Sequence, residues 1–463
     1  MYLFHSYIFL STFDPIHLLP SDRQAPRIFQ RNCTLTPTLI SMSRLFQLAQ
    51  ELLDEIVDCG VMVDKWDKEQ LAICSLVHRS FTPRCQLYLF RHITLTTDSG
   101  LNNGSKRRKR IANLYSIIMH DPVIAGFISE MTIILSMARS DSQWIATDTK
   151  FLQLMELMKK SGMVLQKFYM FQEIGLFRFP ESDYVLKNFL VPFISPSIAT
   201  LRLRRVMGIP LAFFASCPRL THLSLDLVSI SPSLPKSIVP LNIPHMTKLV
   251  WHYPNRTMAS LLRIQASQDR DIIDFAHLTG FSATLYDEEE AHTISYIMRI
   301  AERSLVRLSL SIFDEEWAGP FVREVLVISL RSLYLSAGGF TLEATEGTLQ
   351  FVRTLAKFLS TALPTNNIRK ITIKGDGPFP VRDPITEQAD SFDEWKALDA
   401  ALLNISSGKS ITFNLIIRMP RQGTTGADSA LNPNDIRGAL LQHLPRSASD
   451  PLIGVQIYFS LVD

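Results

Sequence analysis

The sequence predicts an α/β chain: a small three-helix bundle near the N-terminus, followed by an irregular solenoid with one strand plus one helix per unit. Three observations lead there. Apolar residues recur every four positions early in the stretch from residue 45 to 95. The phrase apolar-x-x-apolar-x-apolar returns eight times from Ile128 onward, and helical phrases separate several of its copies. Apolar residues make up 46% of the chain and charged residues 20%, enough to build a continuous core and too apolar for a disordered chain.

Residues 1–41 read as a disordered leader ahead of the fold. The apolar run from Tyr2 to Phe13 is interrupted by His5, Ser6, Ser11 and Thr12 and stopped by Asp14-Pro15. It is too short for a bilayer, which takes about 20 apolar residues. The first basic side chain is Arg23, so the positive start of a secretory signal is missing. Met42 opens the phrase MSRLFQLAQELLDEI, and the bundle occupies residues 42–95. Leu48, Leu52 and Ile56 share one face of its first helix. The polar break VDKWDKEQ leads to a second helix whose apolar side carries Leu71, Cys74, Val77 and Phe81. Thr82-Pro83 reads as an N-cap followed by proline at the first helical position, opening a third helix through Tyr88. A bundle this small is marginal alone and calls for a partner or a neighbouring domain to cover its remaining apolar faces.

The body runs from residue 104 to 463. Its basic start, Lys106 to Arg110, reads as the solvated beginning of a helix, because no aromatic residue is interleaved as nucleic-acid stacking would require. The repeated phrase then appears with middle residues Met131, Phe168, Leu201, Leu223, Leu249, Leu308, Leu333 and Ile371, at gaps of 22 to 59 residues. A regular leucine-rich repeat has about 20–29 residues per unit, so this array is irregular, and the 59-residue gap hides a degenerate unit near His277-Leu278. From about residue 375 the pattern loosens into turn-rich segments, with strand-like phrases returning at 411–417 and 455–461.

The phrases LAQELLDEIVD and LAICSLVHRSFTPRCQLYLFRHITL resemble the F-box of fungal, mushroom-type F-box proteins, and FFASCPRLTHLSL is similar to their leucine-rich repeats. The resemblance implies docking on the small Skp-type adaptor of a cullin–RING ubiquitin ligase, with the repeats holding a protein substrate. It assigns Leu48, Leu52, Ile56, Leu71, Cys74, Val77 and Phe81 to the adaptor. The chain departs from the family at Ala49, where proline usually starts the helix.

In such a solenoid the residues between the inward leucines face a concave surface. Here they include Arg202, Arg204, His222, Lys248, His252, Arg307, Tyr334 and Lys370, with Asp226 the lone acid. A surface of that kind selects an acidic or phosphorylated segment; the plainer alternative is a polar, solvated strand face. Net charge is only +3, which gives no whole-molecule attraction to nucleic acid or membrane. Five scattered cysteines without a C-x-x-C pair fit a reducing compartment, cytosol or nucleus.

No H-E-x-x-H, G-x-S-x-G, Walker-type or G-x-G-x-x-G phrase occurs, so the chain reads as non-enzymatic, with no cofactor and no metal. The acidic run Asp287 to Glu290 with His292 reads as a helix start, Lys374-Gly375-Asp376-Gly377 as a turn, and His78 as a helix-surface residue. The leading expectation is the substrate receptor of a ubiquitin ligase. The alternatives are a repeat scaffold with a degenerate F-box, and an enzyme whose site is assembled from scattered residues.

Overall fold

Two apolar stripes run along the first helix, α1 (Gln50–Met62), and only one is buried. Leu53, Val57 and Gly60 face inward, while Leu52 and Ile56 stay exposed. The expected face was therefore the outer one: adjacent i, i+4 pairs satisfy helical periodicity equally well, and packing chooses between them. The computed structural model describes residues 49–63, 65–96, 105–135, 144–172, 175–179, 184–231, 243–252, 258–259, 261–263, 272–285, 287–312, 330–337, 352–353, 355–357, 359–360, 367–376, 391–420, 437–438, 441–442 and 444–462. The leader and Leu48 lie outside them. The chain divides into two units, residues 1–133 with 147–165, and residues 134–146 with 166–463.

In the first unit, α2 (Lys68–Val77) opens with a reciprocal cap. The Asp67 carboxylate accepts from Gln70 N at 2.8 Å, and the Gln70 side chain returns to Asp67 N at 2.9 Å. Helix α3 (Thr82–Arg91) starts one residue earlier than expected. Thr82 is already helical, and its hydroxyl donates to Ser75 O at 2.9 Å, tying α3 to α2 instead of capping. Leu53, Val57, Leu71, Phe81 and Cys85 form the bundle core, flanked by Trp66, Cys74 and Tyr88. Gly60 is required here, because a Cβ would sit 2.5 Å from the Trp66 indole. The unit continues through β1 (His92–Thr96), α4 (Ser105–His120), α5 (Val123–Phe127) and the first four residues of the strand β2 (Glu130–Leu135), and includes α6 (Thr149–Lys160). In the basic run, Lys106, Arg108 and Lys109 are exposed as expected. Arg107 is buried, however, and Arg110 donates to Thr96 Oγ1 at 3.0 Å.

The second unit is α/β around a large parallel sheet. Its strands are β3 (Lys167–Gln172), β4 (Thr200–Arg204), β5 (His222–Asp226), β6 (Lys248–His252), β7 (Gly280–Leu285), β8 (Arg307–Ile312), β9 (Ser332–Ala337), β10 (Lys370–Asp376), β11 (Ile411–Pro420) and β12 (Ile453–Val462). They lie in the sheet in chain order, each parallel to the next. Strand β7 fills the 59-residue gap, with Leu278, Phe281 and Ala283 buried where the phrase puts its apolar positions.

The register aligns the pattern across strands. Phe168, Leu201, Leu223, Leu249, Phe281, Leu308, Leu333, Ile371 and Phe413 stand side by side and are all buried. Each such side chain contributes roughly 1.5–3 kcal/mol when removed from water. A second ladder forms at the strand entrances. Thr247 N and Lys248 N both donate to Thr221 O, Thr279 N and Gly280 N to Thr247 O, and Val306 N and Arg307 N to Thr279 O. Hydroxyls reinforce it, with Thr221 donating to Ala199 O, Thr247 to Thr221 O and Thr279 to Thr247 O at 3.2, 3.1 and 3.0 Å.

Connecting segments carry the remaining core: Phe213 and Phe214 of α7 (Leu211–Ala215), Ile294 and Ile297 of α8 (Glu288–Ile300), and Leu398 and Leu402 of α9 (Ser391–Ser406). Leu186–Ile194 is a π-helix. Pro192 inside it has no N–H to keep an α ladder, and Ser195 N reaches back five residues to Leu190 O. Past residue 375, the turn-rich segments at 377–384 and 421–435 lie outside the described residues, while the strand-like phrases at 411–417 and 455–461 fall within two ten-residue strands, β11 and β12, with α9 ahead of them. Lys374, Gly375 and Asp376 belong to β10 rather than to a turn. No helix among the described residues is long and apolar enough to cross a membrane.

Buried Asp399 of α9 holds the last helix, α10 (Pro445–Ser449), by accepting from Ser447 N at 2.8 Å and Arg446 N at 3.2 Å. Asp399→Ala leaves both donors without that acceptor. It is expected to lower stability by about 2 kcal/mol in urea unfolding.

Candidate functional site

Helices α1 and α2 present more apolar surface than a small bundle needs. Leu52, Ile56, Met62 and Val63 are exposed on and just after α1, and Ile73, Leu76 and Val77 on α2, with Ile73 58% and Leu76 54% exposed. The residues that sequence reasoning assigned to an adaptor therefore separate. Leu52, Ile56 and Val77 are exposed, Cys74 is half-buried, and Leu71 and Phe81 are consumed by the bundle core. Ile73 and Leu76 were missed, although the signal was present. Helix α2 is apolar on nearly every side, which a soluble helix tolerates only when something covers it.

The bundle is also braced by charge. Arg84 donates through Nε and Nη2 to the two Asp58 oxygens at 2.6 and 2.5 Å, and Tyr88 Oη donates to Asp58 Oδ1 at 2.9 Å. The Arg84 hydrogen bonds hold the Asp58 carboxyl below its ordinary value, against its partial burial. Burial, with Cys74 beside it, pushes the Cys85 thiol up to about 12, so it stays protonated and unreactive. Ala49, the N-cap of α1, has φ −59°, the angle that proline would fix.

On the second unit the strand register brings the predicted basic residues together. Lys167, Thr200, His222, Lys248, Gly280, Arg307, Ser332 and Lys370 occupy successive rungs. Neighbouring strands lie about 4.8 Å apart, so His222 and Lys248 are immediate neighbours. Arg202, His222, Lys248, Arg307 and Lys370 are exposed, and His252 and Tyr334 are half-buried. Arg204 is already engaged, its Nε 3.0 Å from Asp226 Oδ2. Along the neighbouring row that carries Arg202 and Tyr334, Thr372 and Asn414 are buried and joined by a 3.4 Å hydrogen bond. The open basic stretch thus centres on β4 to β6.

Partial burial and the Lys248 charge hold His222 below the ordinary imidazole value of 6.5. Burial does the same to His252, opposed by Asp226 and assisted by Arg202. The His252 ring lies 2.9 Å from Thr284 Oγ1.

The acidic run at α8 is the helix start the sequence predicted. Asp287 caps Glu290 N at 2.9 Å, and Glu289 pairs with Arg263 at 2.5 Å. His78 ends α2, and its Nδ1 accepts from Ser80 N at 3.2 Å. One titratable cluster was not foreseen: His245, Asp274 and His277. No protein-family model matches this chain, and no curated protein matches it.

The two shifted histidines set a pH dependence. Their folded pKa lies below the unfolded value, so the unfolded chain binds more protons as pH falls through 6.5, and stability drops. A His222→Gln, His252→Gln variant is expected to lose less stability than the parent between neutral pH and about pH 5, read by thermal unfolding.

Proposed function

We propose that this chain is an F-box protein with a leucine-rich-repeat body, the substrate-recognition adaptor of an SCF-type cullin–RING ubiquitin ligase. The observation that carries the reading is the apolar surface left exposed on α1 and on α2. Leu52 and Ile56, then Ile73, Leu76 and Val77, stand in water on a bundle whose own core is already filled by Leu53, Val57, Leu71 and Phe81. A Skp-type adaptor covering that surface removes it from water at about 25 cal/mol per Å². The two family-like phrases fall on these helices. The sequential parallel ladder of β3 to β12 supports the repeat reading of the body. The adaptor role is one of proximity: the chain holds a substrate while other subunits transfer ubiquitin. The compartment in keeping with this role is cytosol or nucleus.

Ala49 favours a second reading, a repeat scaffold whose F-box no longer enters a ligase. Co-expression of the full chain with its host's Skp-type adaptor separates the two. A stable co-purifying complex is expected, lost in a Leu52→Asp, Ile56→Asp variant. Both side chains are exposed, so the variant keeps the bundle core intact. Absence of a complex with the parent chain gives the scaffold reading the lead.

For the substrate, the basic stretch on β4 to β6 supports a protein segment rich in carboxylate or phosphate. Arg202→Glu with Lys248→Glu reverses two exposed charges and spares Arg204, which is paired with Asp226. Binding of a phosphoserine-containing acidic peptide is expected to weaken about tenfold or more, and to fall with added salt. Unchanged binding in fluorescence anisotropy assigns the ligand to another surface.

A further inference from the structure

We infer that His245, Asp274 and His277 form a surface site for a Zn2+ ion, with the fourth coordination position left to solvent. The inference is independent of the ligase reading. His245 Nδ1 lies 2.6 Å from Asp274 Oδ2, and His277 Nε2 lies 3.7 Å from the same oxygen. One donor atom from each residue falls within 4.8 Å of the others. Donors on a tetrahedral zinc with bonds of about 2.1 Å stand roughly 3.4 Å apart, a value that the two measured separations bracket. Two imidazoles and one carboxylate are also the donor set that a borderline divalent ion takes, rather than the all-oxygen set of calcium or magnesium.

The backbone builds the site before any ion arrives. His245 and Asp274 are 29 positions apart in sequence but form a parallel β-bridge, with Met246 N donating to Asp274 O at 2.9 Å and Asp274 N to Pro244 O at 3.0 Å. Buried Met246 and Ile273 flank the bridge and fix both strands of it to the core. His277 is set by a turn that Leu278 N closes on Phe275 O at 3.0 Å, with Phe275 and Leu278 both buried. The second Asp274 oxygen is taken, since Oδ1 accepts from Ala276 N at 2.8 Å. That bond turns Oδ2 toward the two rings, in the way a backbone donor orients a metal-binding carboxylate. The imidazoles meet edge to face with centroids 5.2 Å apart. Each is about two-thirds exposed, so an ion reaches them from solvent without any opening of the fold.

Two surface histidines sharing one carboxylate as plain ion pairs is the competing account, and a zinc titration separates them. Isothermal titration of the full chain with Zn2+, after chelation and dialysis, is expected to show one equivalent bound at this site. Zinc is expected to raise the thermal midpoint of the parent, because an ion that binds only the folded state stabilises it by mass action. His245→Ala and His277→Ala, each removing one donor at an exposed position, should weaken that equivalent at least tenfold and abolish its thermal shift. His292→Ala, which leaves the site untouched, should change neither. Co2+ substitution guards against capture by thiols, since a cysteine-bound ion shows a thiolate charge-transfer band and this site does not. A parent chain that takes up no zinc overturns the inference. So does an equivalent that survives both histidine variants, or one that shows the thiolate band.

Discussion

The sheet depends on one repeated corner. Before each strand from β4 to β10, the carbonyl of one segment accepts two backbone N–H groups from the next, as Thr221 O does for Thr247 and Lys248 and Thr247 O for Thr279 and Gly280. Two bonds to one oxygen fix both the position and the direction of the incoming strand. The parallel register follows, and with it the alignment of the apolar columns. A parallel ladder cannot be closed by a tight hairpin, so each strand must be returned to the same starting edge by a connecting segment. The corner makes that return reproducible while connection lengths vary from about twenty to more than thirty residues.

The two units handle surplus apolar surface differently. In the second, the pleat assigns alternate side chains of β4, β5, β6 and β8: one set is buried and the other carries Arg, Lys, His, Ser and Thr outward. In the first, two short helices hold more apolar residues than three helices can enclose. Leu71 and Phe81 are used internally, and Ile73, Leu76 and Val77 are left over. Such an excess is a cost to the isolated bundle and a driving force for association. The same chemistry that makes the bundle marginal is what a partner would exploit.

Polar features follow local rules nearly everywhere. Asp67, Asp148 and Asp287 each cap a helix through their own side chains, and the carboxylates nearest arginine are paired. Departures cluster where the register changes meaning. Asn414 and Thr372 sit on the polar row yet are buried, and Asn414 Oδ1 has no hydrogen-bond partner among the described residues. Trp251 Nε1 is likewise unpartnered, its indole standing in the apolar column between Leu225 and Ala283. An amide oxygen left so adds a penalty of about 1–3 kcal/mol that the surrounding packing must offset.

Much of the fold was legible in the chain because strand patterning is local. A period of two with a fixed preceding apolar residue marks β3 to β6 and β8 to β10 directly, and the same phrase, Leu278-x-x-Phe281-x-Ala283, marks β7 once alanine is admitted as an inward residue. The helix start at Asp287–Glu290 was equally local. The sequence could not decide which of two adjoining stripes on α1 faces the core, since Leu52–Ile56 and Leu53–Val57 have identical spacing and only the fit against Phe81 and Cys85 separates them. It could not reveal His245, Asp274 and His277 as neighbours, because a β-bridge between residues 29 apart leaves no trace in spacing. Periodicity is written residue by residue. Burial, register and the meeting of distant side chains arise only when the whole sheet has chosen its neighbours.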